Sequence, residues 1–122
     1  MITLDELISK EMLFIPQPDK VLSSAQLQKG ERFEYRGGVY TFYNKYMEVL
    51  YVGISNNVGK RVMEHFGSPK GNKDLCKYAA TKPVYVSVFY EDRKAYQEIY
   101  ESYLIKVLNP RFNVEKTGRQ KI

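Results

Sequence analysis

Two β-rich segments separated by a short polar turn place the strongest constraint on how this chain can fold. Residues 39–43 and 49–52 are rich in Val, Tyr and Phe, which favour extended structure. Between them, residues 44–46 (Asn-Lys-Tyr) can reverse the direction of the chain. Gly38 precedes the first segment and Gly53 follows the second. We therefore predict a β-hairpin whose second strand ends at Gly53.

Helical and extended patterns alternate after this hairpin. Ser55 or Asn56 is predicted to cap the next helix. The apolar stripe of that helix consists of Val58, Val62 and Phe66. The remaining predicted elements are a short helix over residues 73–80, a strand over residues 84–89, and a long helix from Arg93 to about Leu108 that Asn109 and Pro110 terminate. This order predicts an α+β fold, in which helices cover a small sheet.

The N-terminal third, residues 1–35, is predicted to be an accessory helical region. Thr3 and Glu6 have the spacing of a capping box, and apolar residues accompany them at helical spacing. Those residues are Leu4, Leu7, Ile8 and Met12. A further short helical turn is predicted within residues 23–28. The other end of the chain, residues 116–122, is a basic tail.

The overall charge favours a polyanionic partner. Nineteen Lys and Arg against 14 Asp and Glu give a net charge of +5, and nucleic acid is the first candidate for such a chain. The 122 residues fit one compact domain. The sequence contains no apolar run as long as a membrane span and no basic-then-apolar signal at its N-terminus. We therefore expect a cytoplasmic protein with no membrane partner.

Cysteine and histidine usage restricts the metal chemistry. Cys76 is the only cysteine and His65 the only histidine, which excludes thiolate zinc sites and multi-histidine sites. Any bound metal must therefore take oxygen ligands, as Mg²⁺ and Mn²⁺ do.

One carboxylate of the long helix stands among apolar residues. At 100° per residue, Glu101 falls between Ile105 and Leu108, in the apolar group that Leu104 completes. A carboxylate in such surroundings is unfavourable unless it is paired or binds a metal ion. Taken alone, the pattern fits a carboxylate at the rim of the core, paired with Arg or Lys, as well as it fits a metal ligand.

Four other residues carry chemistry in this sequence. Arg61 and His65 are four positions apart and so share one helix face, where Arg can bind a phosphate with two hydrogen bonds and His can move protons. The alternative is a solvated Arg and a half-buried His. Tyr40 and Tyr51 lie on paired strands next to glycines. A strand Tyr is usually a packing residue, and it takes part in chemistry only where a cation lowers its pKa.

Taken together and in order, these motifs resemble those of the GIY-YIG nuclease family. Gly38-Val39-Tyr40 and Tyr51-Val52-Gly53 resemble its paired tripeptides, with Val in place of Ile. Three further features follow at the spacing of the family: Arg61, the helix that contains Glu101, and Asn113 at the end of the segment Pro-Arg-Phe-Asn. Within the family, residues 36–115 are most similar to the N-terminal nuclease domain of the excinucleases, whereas His65 is more typical of the homing endonucleases. Ile54 departs from the polar or basic residue that the family often has there.

The resemblance implies a nuclease domain over residues 36–115, built on a small central three-stranded antiparallel sheet flanked by helices. It also implies that Glu101 binds one Mg²⁺ or Mn²⁺ ion that holds the scissile phosphate. Arg61 is implied to neutralise charge on the phosphoryl group, and Tyr40 to act as general base on the attacking water.

The same resemblance assigns supporting roles. Tyr51 and His65 are implied to position water or phosphate, with His65 as the alternative base. Asn113 is implied to hold the local geometry, and Gly38 and Gly53 to be structural. Candidate contacts to the DNA backbone, with solvated surface residues as the alternative, are Lys60, Arg61, Lys70, Lys73 and Lys77.

The function implied is that of a metal-dependent endonuclease. Such an enzyme hydrolyses DNA phosphodiester bonds in repair, recombination or the processing of foreign or mobile DNA. Two alternatives remain open: a catalytically silent nucleic-acid-binding module, and a nuclease that a partner protein directs to its target. Loss of a motif residue would indicate the silent module, and all of the motif residues are present.

Overall fold

A computed structural model describes residues 16–113, which form one four-stranded antiparallel sheet with four helices. The strands are β1 (Lys20–Ser23), β2 (Gly38–Tyr43), β3 (Val49–Ser55) and β4 (Tyr85–Tyr90), in the spatial order β1-β4-β2-β3. The helices are α1 (Ser24–Gln28), α2 (Val58–Glu64), α3 (Lys73–Thr81) and α4 (Lys94–Leu108). The predicted α+β class is confirmed, and so are the hairpin and the helix after it.

The sheet has four strands rather than the three predicted, because β1 pairs along the free edge of β4. This strand has only four residues, too few for alternation to identify it, and its pairing partner is more than 60 positions away. Leu22 is buried in the core, and Ser23 then begins α1 through a capping box with Gln26. The predicted helix at residues 3–12 and the basic tail at residues 116–122 lie outside the described residues.

The pairing of β2 with β3 explains why residue 53 is a glycine. Tyr40 lies directly opposite Gly53, and the ring of Tyr40 occupies the space where a side chain at position 53 would begin. The strand was predicted to end at Gly53, but it continues to Ser55. The prediction was wrong because this glycine makes room for a ring across the ladder instead of ending a strand.

The longer strand also moves the cap of α2. Ser55 or Asn56 was predicted to cap this helix, and the prediction was wrong because β3 extends to Ser55. The cap is Asn57, whose Oδ1 accepts a hydrogen bond of 3.1 Å from the Lys60 N–H. Ser55 instead supports the turn before the helix, where its hydroxyl accepts from the Asn57 N–H at 2.9 Å.

Helices cover the sheet on both sides. The first face carries Tyr40 and Phe42, which share a core with Val58 and Val62 of α2 and with Leu75 of α3. This core confirms the predicted stripe of α2. The second face carries Val39 and Val52, which pack against Leu104 and Ile105 of α4. Three other apolar residues of α4 lie closer to the surface, since Tyr96, Ile99 and Val107 are between 37% and 45% exposed.

The segment after α4 closes the outer edge of β3. Asn109 ends the helix in the left-handed conformation, with φ of 48°. The backbone N–H groups of Arg111 and Phe112 then donate to the carbonyls of Val49 and Leu50. The Asn113 side chain continues this edge: its Oδ1 accepts from the Val52 N–H, and its Nδ2 donates to the Val52 carbonyl, both at 2.9 Å. No helix among residues 16–113 is long and apolar enough to cross a membrane.

Replacing Asn113 should therefore destabilise the fold. Asn113→Ala leaves the two buried polar groups of Val52 without their partner, and we expect a loss of about 1–3 kcal/mol in the free energy of unfolding. Asn113→Asp should lose at least as much, because its carboxylate faces the Val52 carbonyl. Urea denaturation measures both losses, with the exposed Asn56→Ala as the control. Unfolding midpoints equal to that of the control would contradict this role.

Candidate active site

Three residues from different elements form a hydrogen-bonded chain on the first face. His65 follows α2 directly and is fully buried. Its Nε2 lies 2.8 Å from the hydroxyl of Tyr40, which is on β2. Its Nδ1 accepts a hydrogen bond of 3.0 Å from the backbone N–H of Asn72, the residue that caps α3. Both ring nitrogens of His65 are therefore engaged by the protein.

These contacts determine where the proton of His65 resides. A backbone N–H can only donate, so Nδ1 must be the unprotonated nitrogen. The neutral imidazole then carries its proton on Nε2, which donates to the oxygen of Tyr40. The hydrogen-bond network thus makes His65 a donor to Tyr40. Its ring has no lone pair left for a water molecule, which favours a positioning role over the role of alternative base.

The protonation state of His65 agrees with this assignment. Burial, together with the positive charge of Arg61, lowers the pKa of His65 to about 4. The ring is consequently neutral at physiological pH. A neutral donor suits a buried phenol, since it supplies a hydrogen bond without adding a second buried charge.

Tyr40 experiences opposing effects. Its side chain is buried, and burial raises its pKa, as does the neighbouring Tyr51. Arg61 acts in the other direction, by its charge and by a hydrogen bond to the phenol. Glu101 lies close enough for its negative charge to raise the pKa of Tyr40 further. The phenol is thus protonated in the protein alone, with Nε2 of His65 as a donor to its oxygen and the positive charge of Arg61 nearby.

Arg61 is held in place by Glu64 and by the loop after His65. Its Nη1 donates to Oε1 of Glu64 at 3.0 Å and to the carbonyl of Lys70 at 2.7 Å. The side chain is 30% exposed, so it faces both the interior and solvent. This anchoring leaves the planar group fixed while part of it can still meet a ligand from outside.

The remaining predicted site residues lie around this group. Tyr51 is partly buried, with its ring centroid 6.2 Å from that of Tyr40 and 5.1 Å from that of His65. Asn113 contacts β3 one residue further along, at Val52. Glu101 is half-buried on α4. The structure therefore brings Tyr40, Tyr51, Arg61 and His65 together, with the charge of Glu101 within electrostatic reach of Tyr40.

The donor set around Glu101 suits only some metal ions. Among residues 16–113 there is no group of three or more His, Cys, Asp or Glu side chains that could hold a metal ion. A cage made entirely of protein ligands is therefore excluded for this part of the chain. A hydrated ion of the Mg²⁺ type fits, because it keeps several waters and binds through one or two carboxylates.

The four predicted lysines are all exposed. Lys60 lies on α2, Lys70 on the following loop, and Lys73 and Lys77 on α3. Their positions agree with backbone contacts to DNA as well as with a solvated surface.

Two residues of this site did not emerge from the sequence. Glu64 is three positions after Arg61, a helical ion-pair spacing that could have identified it. Asn72 could have been recognised only as a helix cap, the role in which its side chain accepts from the Leu75 N–H at 2.9 Å. Its contact with His65 depends on the tertiary fold.

This sheet, its helices and the tyrosine–arginine group are those of a nuclease family. The family of the GIY-YIG catalytic domain matches residues 36–115. The chain belongs to this family and carries a GIY-YIG endonuclease domain.

Two known proteins have related sequences. The UvrABC system protein C of Dictyoglomus thermophilum is 38% identical over 90 residues, which cover 72% of this chain and 14% of that protein. The chain thus spans a small part of that relative. An uncharacterized Bacillus subtilis protein, YurQ, is 28% identical over 81 residues, covering 66% of this chain and 63% of YurQ.

A solved structure has the same fold. It is the N-terminal GIY-YIG endonuclease domain of UvrC from Thermotoga maritima, bound to magnesium as its catalytic divalent cation. The match has a TM-score of 0.54 at 22% identity and covers 66% of this chain and 86% of that domain.

The buried neutral His65 should make stability depend on pH. Unfolding returns the ring to its ordinary pKa of about 6.5, so below that pH the unfolded chain binds a proton that the folded protein does not. The free energy of unfolding should therefore fall from pH 6.5 towards pH 4, by up to about 3 kcal/mol.

A His65→Gln variant provides the comparison for this effect. The carboxylates that titrate in the acid range are common to both proteins, so their contribution cancels in the difference. We expect the difference in unfolding free energy between the parent and the variant to shrink between pH 7 and pH 4. A difference that stays constant over this range would show that His65 is not a buried neutral group.

Proposed function

We propose that this domain is a metal-dependent endonuclease that hydrolyses phosphodiester bonds in DNA. The observation that carries the proposal is the placement of Tyr40, whose phenol oxygen lies 2.8 Å from Nε2 of His65 and within reach of the charges of Arg61 and Glu101. The complete set of motif residues argues against a catalytically silent module.

Glu101 is the residue proposed to hold one divalent cation, Mg²⁺ or Mn²⁺. It is the carboxylate whose charge reaches Tyr40, and the related Thermotoga maritima domain binds magnesium. When bound, the ion supplies positive charge that stabilises the leaving 3′ oxygen and favours ionisation of Tyr40.

Tyr40 is proposed to take a proton from the attacking water. The phenol must first release its own proton to solvent water, which its burial opposes. The hydrogen bond from His65 and the positive charge of Arg61 stabilise the phenolate oxygen that results, because hydrogen bonds and an opposite charge favour the charged form of a group. His65 is thus a positioning residue that acts through Tyr40.

Arg61 is proposed to contact the scissile phosphate. Glu64 and the Lys70 carbonyl hold one end of the guanidinium, so little side-chain entropy is lost when a phosphate arrives. The rigid fork can stabilise charge as it develops on the phosphoryl oxygens. The exposed lysines Lys60, Lys70, Lys73 and Lys77 then position the DNA backbone without reading its sequence.

The similarity to UvrABC system protein C supports a role in DNA repair, and recombination or the processing of foreign or mobile DNA are the other settings proposed. A partner protein that directs the domain to its target is part of the same proposal. A pull-down carried out after nucleic acid has been digested would identify such a partner.

The substitution Glu101→Gln tests the proposed metal site. Gln has nearly the same shape and removes one charge from the neighbourhood of Tyr40, so the variant should fold normally and melt at or above the parental temperature in chelator. It should lose the stabilisation that Mn²⁺ gives the parent, because ligand linkage requires a binding site. Cleavage of labelled DNA should fall by more than about 100-fold, the scale of losing one electrostatic stabiliser.

Glu98→Gln, one helical turn earlier and exposed, is the matched control and should behave like the parent. A Glu101→Gln protein that cuts DNA at a substantial fraction of the parental rate would end the proposed mechanism. A loss of folding stability in chelator would instead assign Glu101 to a buried ion pair.

A further inference from the structure

A cleft lies at the turn between β2 and β3, outside the residues assigned to catalysis. Its volume is about 400 Å³. Its walls carry the aromatic rings of Tyr46 and Tyr78 and the cationic groups of Lys45, Lys82 and Arg111. Aromatic rings and cations in one cleft are the combination that binds single-stranded nucleic acid.

The two aromatic walls differ in exposure and in their contacts. Tyr78 is half-buried, with its hydroxyl 3.2 Å from Nδ2 of Asn44 and its ring edge-on to Phe112. It is therefore a fixed wall. Tyr46 is 77% exposed at the tip of the hairpin, next to Met47, whose φ of 66° is unusual for a residue other than glycine. An exposed ring on a tight turn can close over a flat ligand.

The charge of the cleft is positive. Nζ of Lys82 lies 4.8 Å from the ring centre of Tyr78, and the Arg111 guanidinium lies 5.3 Å from the ring centre of Phe112. One carboxylate, Glu48, is present, and it is already bound by Asn44 Nδ2 at 3.0 Å, with Arg111 3.6 Å away. Three cations against one bound carboxylate favour a ligand that is both anionic and aromatic.

The cleft is connected to the catalytic residues through two contacts. The ring of Tyr78 packs against Phe112, and the Phe112 carbonyl accepts from Nδ2 of Asn72 at 3.4 Å. Asn72 is the residue that fixes the proton of His65. Glu48, directly before β3, lies three residues from Tyr51, or about 10 Å at ~3.3 Å per residue. One DNA strand could therefore reach both sites within a few nucleotides.

We propose that this cleft binds an unpaired nucleotide of the DNA strand that is cut. The base stacks on the exposed ring of Tyr46, and the phosphate meets Lys82 and Arg111, which lie over the ring of Tyr78. In duplex DNA the faces of the bases are already stacked on one another, so they are not available to stack on the tyrosine ring. The proposal rests on the proposed function for its ligand, and it gives the enzyme a preference for DNA with an unpaired segment beside the cleavage site.

Binding measured in chelator tests this without requiring catalysis. The probes are a short single-stranded oligonucleotide that carries one 2-aminopurine, and the duplex of the same sequence. Tyr46→Ala should weaken single-strand affinity by about 5- to 150-fold, the effect of losing one stacked base. Duplex affinity should change by less than about 2-fold. Tyr46→Phe keeps the ring and should bind like the parent, with the same quenching of 2-aminopurine.

Tyr96→Ala is the matched control, because Tyr96 is an exposed aromatic residue whose ring also lies against an arginine, 3.9 Å from Cζ of Arg93. Unchanged single-strand affinity in Tyr46→Ala would overturn the proposal. An equal loss on single strand and duplex would also overturn it, since that result describes a general backbone contact. Cleavage assays of the parent protein test the proposed function independently of this binding site. A parent protein that binds single strands through Tyr46 but cuts no DNA would contradict the proposed function and still support the binding site.

Discussion

The packing of the Tyr40 ring on Gly53 is the contact from which the rest of the site is built. Because position 53 has no side chain, the ring can lie across the neighbouring strand and remain buried. The phenol oxygen then reaches Nε2 of His65, which the end of α2 supplies, and Asn72 at the start of α3 orients that imidazole. This cross-strand contact thus sets the position of the phenol oxygen toward which the end of α2 and the start of α3 are placed.

The same burial creates the chemical problem that the surrounding residues address. A buried phenol holds its proton more tightly than one in water, and the negative charge of Glu101 adds to that effect. Arg61 and the neutral His65 act in the opposite direction. In the proposed mechanism, positive charge bound at Glu101 would offset this burial and favour the ionisation of Tyr40.

Much of this arrangement could be predicted from the sequence, because the features concerned are local. The hairpin, the apolar stripe of α2, the limits of α4 and the order of the motif residues all follow from neighbours along the chain. Features that depend on distant residues could not be predicted. The strand β1 is too short to show a pattern. Gly53 was predicted to end a strand, because the ring of Tyr40 that requires a glycine there belongs to a different strand. The role of Asn72 toward His65 is likewise a product of the tertiary fold.

The central claim is that Tyr40 acts as the base and that His65 supports it. Single-turnover cleavage of labelled DNA by Tyr40→Phe, with saturating Mg²⁺ or Mn²⁺, tests this most directly, because the variant keeps the ring on Gly53 and removes only the hydroxyl. The account predicts a folded protein that binds DNA normally and cuts it about 10²–10⁴-fold more slowly, the usual contribution of a general base. Cleavage at a rate close to that of the parent, in a protein with an intact fold, would contradict it.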